Sequence, residues 1–337
     1  MSELQSHSKP VVLVAFELGD TSLEAFTHAL QGCAEVVSLP SAAPEQRLAL
    51  IREARAIFSR NAGKEFTPGE LTHAQNARLL QCFSAGVDFI SFDEVPSSVP
   101  IACNAGAFAE PMAEHAVAMI LAAYKRLFVE QANLARGEFN QFTRNRAVAG
   151  STLGVFGFGG IGVATGKLMT ALGARVLAVN RRGATDEPVD FIGTMSDLDV
   201  LLEHSDALLL AAPFTRETRG IIGRRELERM APDATLVNLA RGELVDETAL
   251  YEHLVANPGF TACIDAWWIE PVRHGAFRMD QPFLELPNVI ASPHNSASIH
   301  RDGAPALRLA GENCRRAVLG ETPYHVIDRA LSPLLDE

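Results

Sequence analysis

Arg241, Glu270 and His294 combine the side chains that a proton-coupled reaction at a carbonyl requires, and each follows an apolar, β-rich run. Arg241 comes after TLVNLA, Glu270 lies a few residues past TACID, and His294 comes after NVIAS. Ligands of open α/β sheets bind outside the carboxyl ends of the strands, so positions of this kind face the binding crevice. An imidazole near neutral pH is suited to donate a proton to a carbonyl oxygen. A carboxylate beside it favours the charged ring and fixes its orientation. A guanidinium grips a substrate carboxylate through two parallel hydrogen bonds and helps polarise the neighbouring carbonyl. Singly, Arg241 and Glu270 read equally as surface charges and His294 as a loop histidine. The ordered trio is the specific signal, and its chemistry matches hydride addition to a 2-keto acid.

A hydride needs a carrier, and residues 152–182, TLGVFGFGGIGVATGKLMTALGARVLAVNRR, supply the site for one. They read as strand, glycine turn, helix and second strand, with Gly157, Gly159 and Gly162 spaced G-x-G-x-x-G. In that context the spacing is a dinucleotide fingerprint. The first glycine permits the tight turn, the second lets a pyrophosphate approach the backbone, and the third lets helix and strand pack closely. The phosphates would lie at the helix N-terminus, where free N–H groups and the helix dipole favour negative charge. An acidic residue usually grips the ribose after the second strand. This chain has Asn180 there, followed by Arg181 and Arg182. Loss of the carboxylate removes repulsion of a 2′-phosphate and the arginines are placed to pair with it, so NADP(H) is the expected cofactor, with NAD(H) as the alternative.

These residues must be positioned by a chain of 337 residues, long enough for two domains. Hydrophobic residues make up 47% and charged residues 21%, as in an ordinary globular protein, and the net charge of −12 argues against nucleic acid or an anionic membrane as partner. Local arginines still allow an anionic substrate. The opening MSELQSHSKP lacks the layout of a signal peptide, and the apolar run Ala116–Ala123 is too short to span a bilayer. Cys33, Cys82, Cys103, Cys263 and Cys314 are scattered and odd in number, the pattern of reduced thiols, which makes a cytoplasmic location the expectation. No metal-ligand spacing is present, and no metal is expected.

The first hundred residues alternate: strands over Val11–Phe16, Glu35–Leu39, Ala56–Ser59, Leu79–Phe83 and Val99–Cys103, and helices over Ser22–Leu30 and Glu45–Arg55. One long helix is predicted from about Glu110 to Arg136, with Pro111 in its first turn. After the fingerprint come helices at Leu198–Glu203, Arg225–Met230 and Thr248–Ala256, and strands at Ala207–Leu210, Thr235–Leu239, Thr261–Ile264 and Val289–Ala291. A last helix is predicted at Ile299–Leu319. Short β-rich runs between helical patterns mean β-α-β units around mostly parallel sheets.

The chain resembles the D-isomer-specific 2-hydroxyacid dehydrogenase family over nearly its whole length, glyoxylate and hydroxypyruvate reductases in particular. The segments carrying the resemblance are FSAGVD (83–88), CNAGAFAEPMAEHAVAMIL (103–121), GFGGIG (157–162), AAPFTRETRGII (211–222), LVNLARGELVDETAL (236–250), IDAWWIEP (264–271) and ASPHNSAS (291–298). The resemblance implies an α/β fold in which a Rossmann cofactor domain (104–294) is inserted into a flavodoxin-like substrate domain (1–103 and 295–337). It also implies an active site in the cleft and a homodimer built through the cofactor domain. Arg241, Glu270 and His294 match the family's catalytic set.

By the same resemblance the cofactor is held by Gly157, Phe158, Gly159, Gly160, Ile161 and Gly162, by Asn180, Arg181 and Arg182, and by Ala212, Pro213, Thr218, Leu239, Ala240, Asp265 and His294. The substrate carboxylate would meet backbone N–H groups around Arg60, Asn61, Ala85 and Gly86 as well as Arg241. Arg60 reads equally as a surface arginine, Asp265 as a strand-end hydrogen-bonding group, and Thr218, Asn238 and Asp246 as loop supports. Asn104 is expected near the nicotinamide. His115 reads as a packing residue, and Trp267 and Trp268 as packing under the site.

There are departures from the family pattern. Gly160 stands where many relatives carry an arginine beside the pyrophosphate, and Phe214 and Arg216 replace the usual Leu and Pro. Formate dehydrogenases of the family carry Gln at the place of Glu270, which disfavours that activity. Other 2-keto acids, phosphoglycerate or phosphite as substrate, and a nucleotide-sensing scaffold of the co-repressor type stay open as alternatives.

Overall fold

The computed structural model describes residues 8–87, 90–298 and 304–329. They form two compact units: one of the residues up to Ala107 with those from 304 onward, the other Phe108–Ser298. Both divisions fall four residues later than the expected ones. Asn104 is tied into the first unit by donating from Nδ2 to the carbonyls of Phe83 and Ala306 (3.0 and 2.9 Å). Asn295 and Ser296 belong to the second unit because their N–H groups donate to Asp265 (3.1 and 3.3 Å).

The first unit holds five strands: β1 (Val11–Val14), β2 (Glu35–Ser38), β3 (Ala56–Ser59), β4 (Leu80–Cys82) and β5 (Ile101–Ala102). Their order is β2-β1-β3-β4-β5, and every pairing is parallel. That is the flavodoxin-like order, with both faces covered. Alternation along the strands assigns the faces. Val12, Val14, Ala56 and Phe58 pack with Phe26 of the helix Asp20–Ala29 and with Leu307, Ala310 and Cys314 of the helix Ala304–Leu319. Leu13 and Ile57 point the other way, to Leu39, Ile51 and Leu71. Gly311 lets the two helices on the first face touch, since a Cβ there would lie 2.6 Å from Ala29 Cβ. Residues 299–303 of the last predicted helix lie outside the described residues.

The second unit is a seven-stranded parallel sheet: β6 (Thr152–Phe156), β7 (Arg175–Val179), β8 (Phe191–Gly193), β9 (Ala207–Leu210), β10 (Thr235–Asn238), β11 (Thr261–Ile264) and β12 (Val289–Ala291). The order β12-β11-β10-β9-β6-β7-β8 reverses direction at β6, which places the topological switch point between β6 and β9. Strand β8 is absent from the expected elements. It is three residues long at the sheet edge, with Phe191 and Ile192 only half-buried, so its hydrophobic signal is short and weak.

The single helix expected over Glu110–Arg136 is two helices, Ala109–Tyr124 and Leu127–Ala135. The break falls at Arg126, whose φ of 53° is left-handed. Such a conformation in a non-glycine residue requires outside support. It comes from the Arg126 N–H donating to Ala123 O (3.0 Å) and from Lys125 Nζ donating to Arg146 O (2.7 Å). Arg146 lies 21 residues downstream of Lys125, beyond the reach of a periodicity argument. Among the described residues, no helix is long and apolar enough to cross a membrane.

Candidate active site

The three fingerprint glycines meet three different environments. Gly157 has φ +101°, and a Cβ there would sit 2.3 Å from the backbone nitrogen of Ala212 at the end of β9. At Gly162 a Cβ would meet Gly157 O at 2.6 Å and Val155 Cγ1 at 2.8 Å, so this glycine sets how closely the helix Gly160–Ala171 lies on β6. Gly159 faces open space, with no described residue within 4 Å of where a Cβ would stand. It is the N-cap of that helix, and no side chain caps it. The first-turn N–H groups thus point to a space that backbone and glycine keep clear, which suits a pyrophosphate. Absence of a side chain at Gly160 leaves that contact to the backbone.

Arg241, Glu270 and His294 follow β10, β11 and β12, three neighbouring strands at the same sheet end. His294 Nδ1 is 2.8 Å from each carboxylate oxygen of Glu270. With Nδ1–H directed to Glu270, Nε2 is the nitrogen left for a ligand; it has no partner among the described residues. Glu270 is also held by the Trp267 N–H, which donates to Oε1 (2.7 Å), and by its own N–H donating to His274 Nδ1 (2.9 Å). Burial by itself would raise its pKa. The hydrogen bond from His294 and its charge, the Trp267 N–H and the charge of Arg241 outweigh this and hold the carboxyl below its ordinary range.

Backbone packing brings the three loops together. A Cβ on Gly242 would lie 2.4 Å from Trp267 C and from Trp268 N, so the residue after Arg241 must be glycine for the loops after β10 and β11 to touch. Asn238 supports the Arg241 loop: its Nδ2 donates to Arg241 O (2.8 Å) and its Oδ1 accepts from Ala240 N–H (3.1 Å). Both tryptophans are used internally. Trp267 Nε1 donates to Ser292 O (2.9 Å), while Trp268 Nε1 donates to Val245 O (2.7 Å) and its ring stacks on Phe283.

The loop bearing His294 is strained and pinned. Its φ of 51° is left-handed, a conformation costing roughly 1–3 kcal/mol in a non-glycine residue. Asp265, fully buried, accepts the hydroxyl of Ser292 on one side of His294 and the N–H groups of Asn295 and Ser296 on the other. In these contacts Asp265 is the strand-end hydrogen-bonding group, one of the two readings its sequence position allows. Sequence reasoning misses Ser292 and reads His115 as packing, yet His115 Nε2 lies 3.0 Å from Ser292 Oγ.

Other expected residues are placed as follows. Asn180 uses its amide on its own turn: Oδ1 accepts from Arg182 and Gly183 N–H (2.9 and 2.8 Å), and Nδ2 donates to Ala184 O (2.9 Å). Arg181 and Arg182 are exposed, and neither guanidinium has a partner among the described residues. Thr218 is buried and donates to Pro213 O (2.8 Å), holding the loop after β9. Ala212 and Leu239 are buried, Ala240 and Ile161 half-buried, Phe158 buried and Pro213 exposed.

Within the first unit, the Arg60 and Asn61 N–H groups expected to meet a substrate carboxylate already donate to Glu65 (3.0 and 2.7 Å), which Ser59 Oγ also binds (2.6 Å). The carboxylate of Glu65, at the end of the short helix Ala62–Glu65, thus occupies the donors, a contact that strand-end spacing does not reveal. The Arg60 guanidinium lies over the rings of Phe16 and Phe83 at 4.5 and 5.3 Å. Ala85 is exposed and Gly86 half-buried, and their N–H groups have no acceptor among the described residues. Asn104, expected near the nicotinamide, is completely buried, and its amide joins segments of its own unit.

A parallel sheet with a glycine phosphate turn at its switch point and a His–Glu pair at the same strand ends defines a nucleotide-dependent oxidoreductase. Residues 117–296 match the family model described as D-isomer specific 2-hydroxyacid dehydrogenase, NAD binding domain. The chain is 30% identical over 257 residues to a hydroxypyruvate reductase of Thermotoga maritima, covering 75% of this chain and 81% of that one. It is 31% identical over 264 residues to glyoxylate/hydroxypyruvate reductase B of Pectobacterium carotovorum, with coverage of 77% and 81%. The solved structure of a candidate formate dehydrogenase from Pyrobaculum aerophilum superposes with a TM-score of 0.79 at 28% identity, over 95% of this chain and 99% of that one. The chain belongs to the D-isomer-specific 2-hydroxyacid dehydrogenase family and is an NAD-binding oxidoreductase.

Proposed function

We propose that the protein reduces a small 2-keto acid of the glyoxylate or hydroxypyruvate type to the D-2-hydroxy acid, with NADP(H) preferred over NAD(H). The observation carrying this reading is the His294–Glu270 pair, an imidazole oriented by a buried carboxylate, with no partner to its far nitrogen among the described residues. A bound nicotinamide would supply the hydride. His294 donates its Nε2 proton to the carbonyl oxygen as that hydride adds, and Glu270 holds the ring and balances the charge it carries before transfer. Arg241 clamps the substrate carboxylate and draws electron density from the carbonyl. In the oxidative direction His294 accepts the proton instead.

The cofactor assignment rests on residues 180–182. Position 180 carries no carboxylate to repel a 2′-phosphate, the Asn180 amide is engaged in its own turn, and the next two residues, Arg181 and Arg182, are exposed. An NADPH preference favours reduction, because cells usually keep that pool reduced. The names of relatives at about 30% identity support the substrate class. A homodimer built through the cofactor unit accompanies this reading; light scattering tests it.

Initial rates at 340 nm with NADPH and NADH, over glyoxylate, hydroxypyruvate and longer 2-keto acids, test both parts. A charge-assisted phosphate contact is worth about 1.5–3 kcal/mol, so kcat/KM should favour NADPH by at least about tenfold. Preference for NADH overturns the cofactor assignment. Absence of turnover with every keto acid, or turnover only with phosphoglycerate or phosphite, overturns the substrate class.

A further inference from the structure

We propose that His115 is a positioning residue for His294, acting through Ser292 and Asp265 without touching substrate. This rests on the acid–base reading of His294. The proton directions follow from the partners. Asp265 is a carboxylate, so the Ser292 hydroxyl donates to it. That leaves Ser292 Oγ as an acceptor, and His115 Nε2–H donates to it at 3.0 Å. His115 stays 3.9 Å from the Asp265 carboxylate itself, so the hydroxyl is the link.

The chain of bonds ends at the loop that carries the acid–base group. Ser292 is two residues before His294, and its N–H donates to Ile264 O (2.9 Å) while its carbonyl accepts from Trp267 Nε1 (2.9 Å). On the other side of His294, Asn295 and Ser296 donate to the same Asp265. A left-handed His294 persists only while both flanks are fixed. Removal of the His115 donor leaves the Ser292 lone pair unmatched and weakens the hydroxyl's bond to Asp265, since bonds in such a chain polarise one another. That flank keeps the Ser292 N–H and carbonyl bonds but has a weaker tie to Asp265, so the His294 ring is held less firmly against the carboxylate that orients it. Simple packing does not account for the arrangement, because an apolar residue at 115 would fill the same space on the helix Ala109–Tyr124 without reaching Ser292.

The test uses the full chain with NADPH and glyoxylate, and separates kcat from KM in His115→Phe, His115→Gln, Ser292→Ala, the His115→Phe/Ser292→Ala double variant and His294→Ala. Misplacement of a reacting group costs heavily, so His115→Phe and Ser292→Ala should each lower kcat about tenfold, with keto-acid KM and nucleotide Kd within about twofold. The double variant should be no slower than the slower single one, since both cut one chain. His115→Gln, whose amide N–H reaches Ser292 from a similar place, should restore most of the turnover. Equal losses in His115→Gln and His115→Phe, additive losses in the double variant, or parental kcat in Ser292→Ala overturn the proposal. The Ser292 arm stands independently if His115→Phe does not fold. Parental turnover in His294→Ala overturns the acid–base reading itself; parental turnover in His115→Phe beside an inactive His294→Ala overturns only the positioning role.

Discussion

The two carboxylate oxygens of Glu270 lie at the same 2.8 Å from His294 Nδ1, across 24 residues of chain. The carboxylate therefore holds the ring from a symmetric position. Glu270→Gln keeps the shape but removes the charge and turns one acceptor into a donor. We expect kcat to fall about 100-fold or more, with nucleotide Kd little changed, because positioned general acid–base catalysis contributes on the order of 10²–10⁴-fold. Steady-state rates and a fluorescence titration measure the two quantities, and an unchanged kcat would refute the assignment.

Gly157 and Gly159 should separate folding from cofactor binding. A methyl group at Gly157 meets the Ala212 backbone and a φ of +101°, so Gly157→Ala should depress Tm or abolish folding. At Gly159 the space is open, so Gly159→Ala should leave Tm near the parent value yet weaken nucleotide binding by obstructing the phosphate. Thermal melts with and without nucleotide distinguish the pair; equal behaviour of the two variants counts against the turn as the phosphate site.

Asn180→Asp should reverse the cofactor choice. The aspartate keeps the acceptor for the Arg182 and Gly183 N–H groups, but its second oxygen must turn away from Ala184 O, to which Asn180 Nδ2 donates. The stability cost should be about 1 kcal/mol or less, the net value of one exposed hydrogen bond. The new carboxylate accepts from ribose hydroxyls and repels a 2′-phosphate. The ratio of kcat/KM for NADPH to that for NADH should fall at least about tenfold; an unmoved ratio means position 180 does not set the preference.

Glu70 and Arg47 supply a pH-dependent part of the first unit's stability. Glu70 accepts from Arg47 Nε and Nη2 (3.1 and 2.9 Å) and from Thr67 N–H (2.8 Å). The Arg47 hydrogen bonds, against the opposing effect of burial, put its folded pKa below the ordinary carboxylate value. Stabilisation from the pair is therefore complete above the unfolded pKa, about 4.3, and is lost as pH falls through the lower folded value. Glu70→Gln should destabilise by on the order of 1–3 kcal/mol at neutral pH, with the gap to the parent narrowing in acid. Denaturant melts from pH 7 down to about 3 measure this, and a gap independent of pH contradicts it.

Local pattern was enough for most of the fold and for the centre of the candidate site. The G-x-G-x-x-G turn, the alternation of strands and helices, and the placement of Arg241, Glu270 and His294 just after β10, β11 and β12 all depend on residues near one another in the chain. Such features are legible because periodicity and turn chemistry act over a few residues. Where distant groups compete, the sequence alone was insufficient. The helix break at Arg126 is held by Arg146, the amides of Arg60 and Asn61 are claimed by Glu65, and Asn180 turns its amide inward. The His115–Ser292 bond spans 177 residues and leaves no local trace. A hydrogen bond depends on distances and angles between atoms that only the folded chain brings together, so composition and order named the chemistry and tertiary structure decided which donors and acceptors were free to perform it.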